Sequence, residues 1–148
     1  MEKIKKAVSA AEEDQVSRKL LVWLNTFPEK PIDLIRFEFL PANAEAMAMS
    51  TIQAAYISKK YILGGYMAEY QFKVIYRVNP GNSNDKRLKA DELLNALGDW
   101  AIGQHPDIGE KKRVLSVEPT TRSSMFVVYE NGEEDHQILM KMNYEVNV

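Results

Sequence analysis

The stretch that most constrains the fold is residues 67–78, Met-Ala-Glu-Tyr-Gln-Phe-Lys-Val-Ile-Tyr-Arg-Val. Ala68, Tyr70, Phe72, Val74, Tyr76 and Val78 are apolar, and the residues between them mostly are not, so the period is two, that of a strand with one buried face. Ile75 is the plain exception. At about 3.3 Å per residue the stretch spans ~40 Å, close to the full width of a compact domain with a radius of gyration of roughly 15 Å. It predicts a central strand crossing the whole molecule.

The chain has 148 residues, enough for one domain whose core needs no staples. It lacks cysteine, which removes disulfides and thiolate metal sites. A formal net charge of -2, with a pI near 5.8, argues against a dedicated nucleic-acid binder, because such domains carry a strong basic excess. No apolar run reaches the roughly eighteen residues of a membrane span. The residues around Glu2, Lys3, Lys5 and Lys6 have no apolar signal segment, so a protein that is intracellular at synthesis, without membrane insertion, is expected.

Residues 2–27 are rich in Ala, Glu, Lys and Leu with no Gly or Pro, and predict a helix. Val16, Leu20, Trp23, Leu24 and Phe27 form the stronger stripe and should pack on the sheet. Ile4, Ala7, Val8 and Ala11 form a separate face, either a fraying end or an arm that packs on a neighbouring subunit. Pro28 and Pro31 close the helix. Residues 32–40 predict a strand, residues 43–50, small and Met-rich, an irregular or extended connection, and residues 51–63 a looser strand. Gly64-Gly65 supplies a tight turn, so residues 51–78 should form one long antiparallel hairpin. Its tip, with Tyr61, Ile62, Leu63, Tyr66 and Met67, is unusually apolar for a turn and reads either as a partner surface or as a tip covered by another loop.

After the turn cluster 79–82, Ser83, Asn84 or Asp85 can cap a second helix with the stripe Ala90, Leu93, Leu94, Leu97, Trp100 and Ala101, from which Leu88 is excluded. Strands follow at 111–118, 123–130 and 135–146, the last two joined through Asn131-Gly132. The expected architecture is α+β: a single domain in the order α-β-β-β-α-β-β-β, with two helices on one face of a mostly antiparallel sheet.

The sequence carries little chemistry. His105 with Asp107, and His136 with Asp135, lack helical or zinc-type spacing, so no metal is expected. Glu133, Glu134 and Asp135 read as a solvated hairpin end. Gly64-Gly65 is followed by no helix amino terminus and cannot cradle phosphate, and Ser123-Ser124 lacks the glycines of a nucleophile elbow. Lys111, Lys112 and Arg113, with Arg122, form the best basic cluster, either a nucleic-acid contact or a charged edge that discourages pairing. A small hydrolase would have to work through His105 or His136. Neither catalytic residues nor a cofactor are expected.

Three segments carry a resemblance: residues 62–72 (Ile-Leu-Gly-Gly-Tyr-Met-Ala-Glu-Tyr-Gln-Phe), Ala90-Asp91-Glu92-Leu93-Leu94 with Leu97-Gly98-Asp99-Trp100, and Glu134-Asp135-His136-Gln137. Over residues 16–146 the chain resembles the small minor capsid or tail terminator proteins of siphophage and myophage structural gene clusters in Gram-positive hosts. Residues 1–15 fall outside the resemblance, as a possible amino-terminal arm. The resemblance implies a virion protein of the tail or neck, assembled in the host cytoplasm, which forms a homohexameric ring, caps the tail tube and offers a docking surface to the head connector. It implies neither enzyme activity nor a cofactor, membrane or specific nucleic acid. A head-tail joining, neck or minor capsid protein is the neighbouring alternative. A closed ring needs a head-to-tail interface, for which Tyr61, Ile62, Leu63, Tyr66 and Met67 at the tip, and Ile4, Val8 and Ala11 in the arm, are the candidates.

Overall fold

The computed structural model describes residues 6–147, which form two helices and one eight-stranded sheet, the α+β arrangement expected from the sequence. Two long strands make its centre. β5 (Tyr66–Val78) and β8 (Glu134–Val146) are antiparallel and paired over thirteen residues, with Phe72 opposite Met140 at the midpoint. Shorter strands flank them in tandem. β3 (Ala46–Thr51) and β4 (Tyr56–Lys60) lie end to end along β5; β6 (Lys112–Pro119) and β7 (Ser124–Val128) do so along β8. β2 (Ile35–Phe37) runs parallel to β3, and β1 (Lys6–Ala7) antiparallel to β4.

A half-turn about the sheet normal through Phe72 and Met140 exchanges the two sides. Residue n of the first side then falls on residue n + 68 of the second: Tyr56 and Lys60 on Ser124 and Val128, Tyr66 and Val78 on Glu134 and Val146. β3 corresponds to β6 in the same way. Among the described residues only the first side carries a further layer, since β1 and β2 have no counterpart beside β7 and β6.

Both helices cover one face. α1 (Ala10–Leu24) starts at Ser9, whose Oγ accepts the Glu12 amide at 3.2 Å, and α2 (Asn84–Ala101) starts at Ser83, which accepts that of Lys86 at 3.2 Å. Val16, Leu20 and Leu24 of α1, and Leu94 and Leu97 of α2, are fully buried over Ala68, Tyr70, Phe72, Val74, Ile138, Met140, Met142 and Tyr144. Trp23 stacks on Trp100 with ring centroids 4.9 Å apart and joins the helices. Gly98 lets α2 lie close to the sheet, because a Cβ there would stand 2.9 Å from Ile138 Cδ1.

Four local expectations change. The first helix begins at Ala10, and residues 6–7 pair with β4, because Ser9 caps the helix and Val8 is buried with its N–H donating to the Ala55 carbonyl at 2.9 Å. Helix propensity is a weak prior against such burial. Residues 46–49, expected as a connection, are an internal strand between β2 and β5; all four are buried, which is why no alternation marks them. The expected strand 32–40 shrinks to three residues, ended by Glu38 in the left-handed region at φ 53. The long hairpin extends back to residue 46, with a break at residues 52–55.

Glutamates of α1 clamp the tip end of the sheet. Glu12 accepts from the hydroxyls of Tyr66 and Tyr144, the latter at 2.7 Å, and Glu13 accepts the Ala55 amide at 2.5 Å. Burial, with the Glu12 carboxylate second, pushes both tyrosines' pKa up; Tyr76, held by Glu45, shifts the same way. Burial takes Tyr70 and Tyr56 to about 12. A raised folded-state pKa gives stability that is whole below the unfolded value near 10 and lost as pH rises through the folded one. The denaturant midpoint should therefore hold up to about pH 10 and fall between about 10 and 12, with tyrosinate absorbance from Tyr66, Tyr76 and Tyr144 appearing only on unfolding. A midpoint flat across that range would refute the clamp.

Candidate interface elements and the buried ionic end of the sheet

The two tight turns of the hairpins are copies of one another. At the first, the Tyr61 amide donates to the Gly65 carbonyl at 3.1 Å and the Gly64 amide to the Tyr61 carbonyl at 3.3 Å. At the second, Tyr129 donates to Glu133 at 2.8 Å and Gly132 to Tyr129 at 3.0 Å. Gly64 and Gly132 share a positive φ, 99 and 92, which is why both positions are glycine. The residues between differ in kind: Ile62 and Leu63 in one, Glu130 and Asn131 in the other. Ile62 is 101% and Leu63 98% exposed, so no loop of the described chain covers them. Tyr61, Tyr66 and Met67 are half-buried, and the two hydroxyls bond Glu145 and Glu12.

Of the expected arm, Ala11 is exposed at the start of α1 and Ile4 lies outside the described residues. Val8 is a correction, since it packs into the core of its own protomer. Two exposed apolar groups escaped the sequence reading: Met125, Phe126 and Val128 on β7, and Leu34, Phe37 and Phe39 around β2. The unbroken run Met125-Phe126-Val127-Val128-Tyr129 was their legible signal, because a strand with one wet face alternates.

The acidic run at the far end is not solvated. Glu133, Glu134, Asp135 and His136 are all buried, and each has partners. On the outer face Arg77, directly opposite Asp135 in the ladder, grips it with Nε at 2.7 Å and Nη2 at 2.9 Å, and Tyr129 donates to the same carboxylate at 2.7 Å. Hydrogen bonding to Asp135 raises the guanidinium's pKa further. On the helix face Arg87 of α2 donates to Glu134 at 2.7 Å. His136 sits between two acids, Nδ1 2.8 Å from Asp91 and Nε2 3.3 Å from Glu134.

Ser123, Asp91 and His136 touch in sequence, yet not as a hydrolytic triad. The Ser123 hydroxyl donates to Asp91 at 2.8 Å, and the imidazole's other nitrogen faces Glu134, so nothing takes the serine's proton. His105 is elsewhere, against the Val114 carbonyl at 3.0 Å, in an open cleft with Asp107, Lys112 and Arg113. The basic cluster is also split. Arg113 pairs with Glu145 at 2.5 Å at one end of β6, while Arg122 lies past the other end, by Asn95 and Asp99. Among the described residues no three His, Asp or Glu side chains are grouped to hold a metal ion, and no helix is long and apolar enough to cross a membrane.

Two stability effects follow. Replacing Arg77 by Met strands a buried carboxylate and should cost about 3–5 kcal/mol, while adding Asp135→Leu should restore most of it; chemical denaturation of the three proteins measures this, and equal losses in single and double variants would disprove the pair. Glu133 is held below the ordinary carboxylate range by the Asn131 amide and then the Asn43 backbone N–H. A depressed folded pKa gives stability present above the unfolded value and lost as pH falls through the folded one. Glu133→Gln should accordingly flatten the decline in midpoint below about pH 4.5.

No family model matches the chain, and no curated protein sequence matches it. Among solved structures it is similar to a chain in "Virion of native gene transfer agent (GTA) particle", with a TM-score of 0.55 and 13% identity over 94% of this chain and 99% of that one. At that identity the likeness is one of fold, and it runs through nearly the whole of both chains.

Proposed function

We propose that this protein is a structural component of a phage-like virion, and specifically a tail terminator: a homo-oligomeric ring, of six copies in the simplest case, that caps the tail tube and presents a surface to the head connector. The end-to-end likeness to a chain of a gene transfer agent virion supports the coarser statement. The observation that carries the finer one is the apolar tip. Glu130 and Asn131 occupy the same turn at the other end of the ribbon, so the backbone does not require Ile62 and Leu63. Two large apolar side chains held wholly in water on a rigid hairpin are what a docking element looks like. On this reading the tip meets another virion component or the next ring, and the protein carries out no reaction and needs no cofactor.

Burying both side chains in a partner contributes ~3–6 kcal/mol per joint. Replacing Ile62 by Glu and Leu63 by Asn copies the other turn, so fold stability should stay within about 0.5 kcal/mol, while binding through the tip falls by roughly 10²–10⁴-fold. Light scattering and negative-stain imaging, with and without tail tubes, provide the test. Rings that cap tube ends with the native chain and fail to do so with the double variant are expected. A native protein that stays monomeric and leaves tube ends bare would overturn the terminator reading.

A further inference from the structure

The sheet has two outer edges at the end away from the tip, and they differ. Counted across, the order there is β2-β3-β5-β8-β7, so β2 and β7 are the outermost strands at one level of the molecule: β2 pairs β3 opposite residues 74–76 of β5, and β7 pairs β8 opposite residues 75–78. Under the internal half-turn, β7 corresponds to β4, whose outer edge is taken by β1 from the same chain. Among the described residues β7 pairs with β8 alone, and the equivalent position beside it is unfilled. β7 also lacks the usual protections of an open edge. It contains no charge and no proline, and Met125, Phe126 and Val128 are exposed on it.

We propose that β7 of one copy joins the β2 edge, residues 34–39, of the next copy, so that the sheet continues from subunit to subunit around the ring. The inference rests on the ring reading above, and it names the joint. Four features select a second copy as the occupant. The strand directions agree: β5 and β7 run one way, β3, β2 and β8 the other, so a rotation about an axis along the strands brings β7 antiparallel to the neighbour's β2. The chemistry agrees, since Leu34, Phe37 and Phe39 are exposed around β2 as Met125, Phe126 and Val128 are on β7. The charges agree, because antiparallel docking sets Arg122, just before β7, against Glu38, just after β2. It also sets Glu130 beside Lys30, whose Nζ lies 2.7 Å from the Asp33 carbonyl. Finally, the two edges lie on opposite sides of one molecule, which is the head-to-tail geometry a closed ring needs.

Asn25 limits the backbone share of this joint. Its side chain bonds both the N–H and the C=O of Ile35, at 2.8 and 3.1 Å, and so occupies that part of the edge. Phe37 keeps the backbone groups that β7 can reach, and the apolar side chains supply most of the contact.

The absence of cysteine makes disulfide trapping free of background. The proteins to compare are Phe37→Cys with Met125→Cys in one chain, Phe37→Cys with Val128→Cys as the second register, each single variant, and an equal mixture of Phe37→Cys and Met125→Cys singles; Phe37, Met125 and Val128 all stand on the helix face of the sheet, as a cross-strand disulfide requires. Under mild oxidation at least one double variant should give a reducible ladder of dimer, trimer and larger species ending at the ring size seen by light scattering. The mixture should stop at dimers, and the singles should stay uncrosslinked. A ring by light scattering with no ladder from either double variant would overturn this joint and leave the ring intact. Disulfide dimers from Met125→Cys alone would mean that β7 meets β7, which also overturns it. A native chain that is monomeric throughout would sink the ring reading itself.

Discussion

Everything in this fold is hung on the antiparallel pairing of β5 with β8. Thirteen residues of each strand face one another, and every second side chain forms the floor on which both helices rest. Such a ladder is vulnerable to slippage, because a shift of one residue would turn the floor side chains to the wrong face. A shift of two keeps the faces and is the harder error to exclude. The Arg77–Asp135 pair excludes it: the two residues are direct partners in the ladder, and any other register would leave a buried carboxylate without its guanidinium. The buried ionic end thus acts as a register pin more than as a source of stability, a role in which buried charge pairs are best understood.

The helices then read the register from above. Glu12 of α1 collects the hydroxyls of Tyr66 and Tyr144, one from each central strand, at the tip end of the ribbon. Arg87 and Asp91 of α2 collect Glu134 and His136 at the other. Each helix therefore fixes one end of the sheet by polar contacts, while Trp23 on Trp100 ties the helices together between them. Tyr76 and Tyr144, related by the 68-residue offset, both place a hydroxyl on a glutamate, Glu45 and Glu12.

Elements whose environment is one-sided were legible in the sequence. β5, β8 and the stripes of both helices alternate or repeat because one face is wet, and Asn131-Gly132 announced its turn. Elements buried on both sides were not. Residues 46–49 show no period because strands flank them and both faces are covered, so a central strand looked like a connection. The acidic run failed for another reason, since carboxylates read as solvated unless their cations are known, and Arg77 and Arg87 lie far away in sequence. The internal repeat was visible only as Tyr-x-x-Gly at 61–64 and 129–132, too short a match to trust before the strand register set the offset. For the candidate interface, the tip was legible as a run of apolar residues around two glycines, whereas the β2 and β7 edges required topology, because nothing local distinguishes an open edge from a paired one.

The two halves of the repeat have diverged in a direction that bears on function. One turn presents Ile62 and Leu63 to water, and its counterpart presents Glu130 and Asn131 above a buried cluster of acids and bases. The buried ions serve the chain's own register, whereas exposed isoleucine and leucine only cost a monomer solubility. The apolar turn becomes intelligible if the chain meets a neighbour at that end. The half-turn that relates the backbones therefore measures how far the surfaces have departed from it, and that departure is plain at the two turns, where Ile62 and Leu63 stand free in water while Asn131 bonds Asn43 and Glu133 of its own fold.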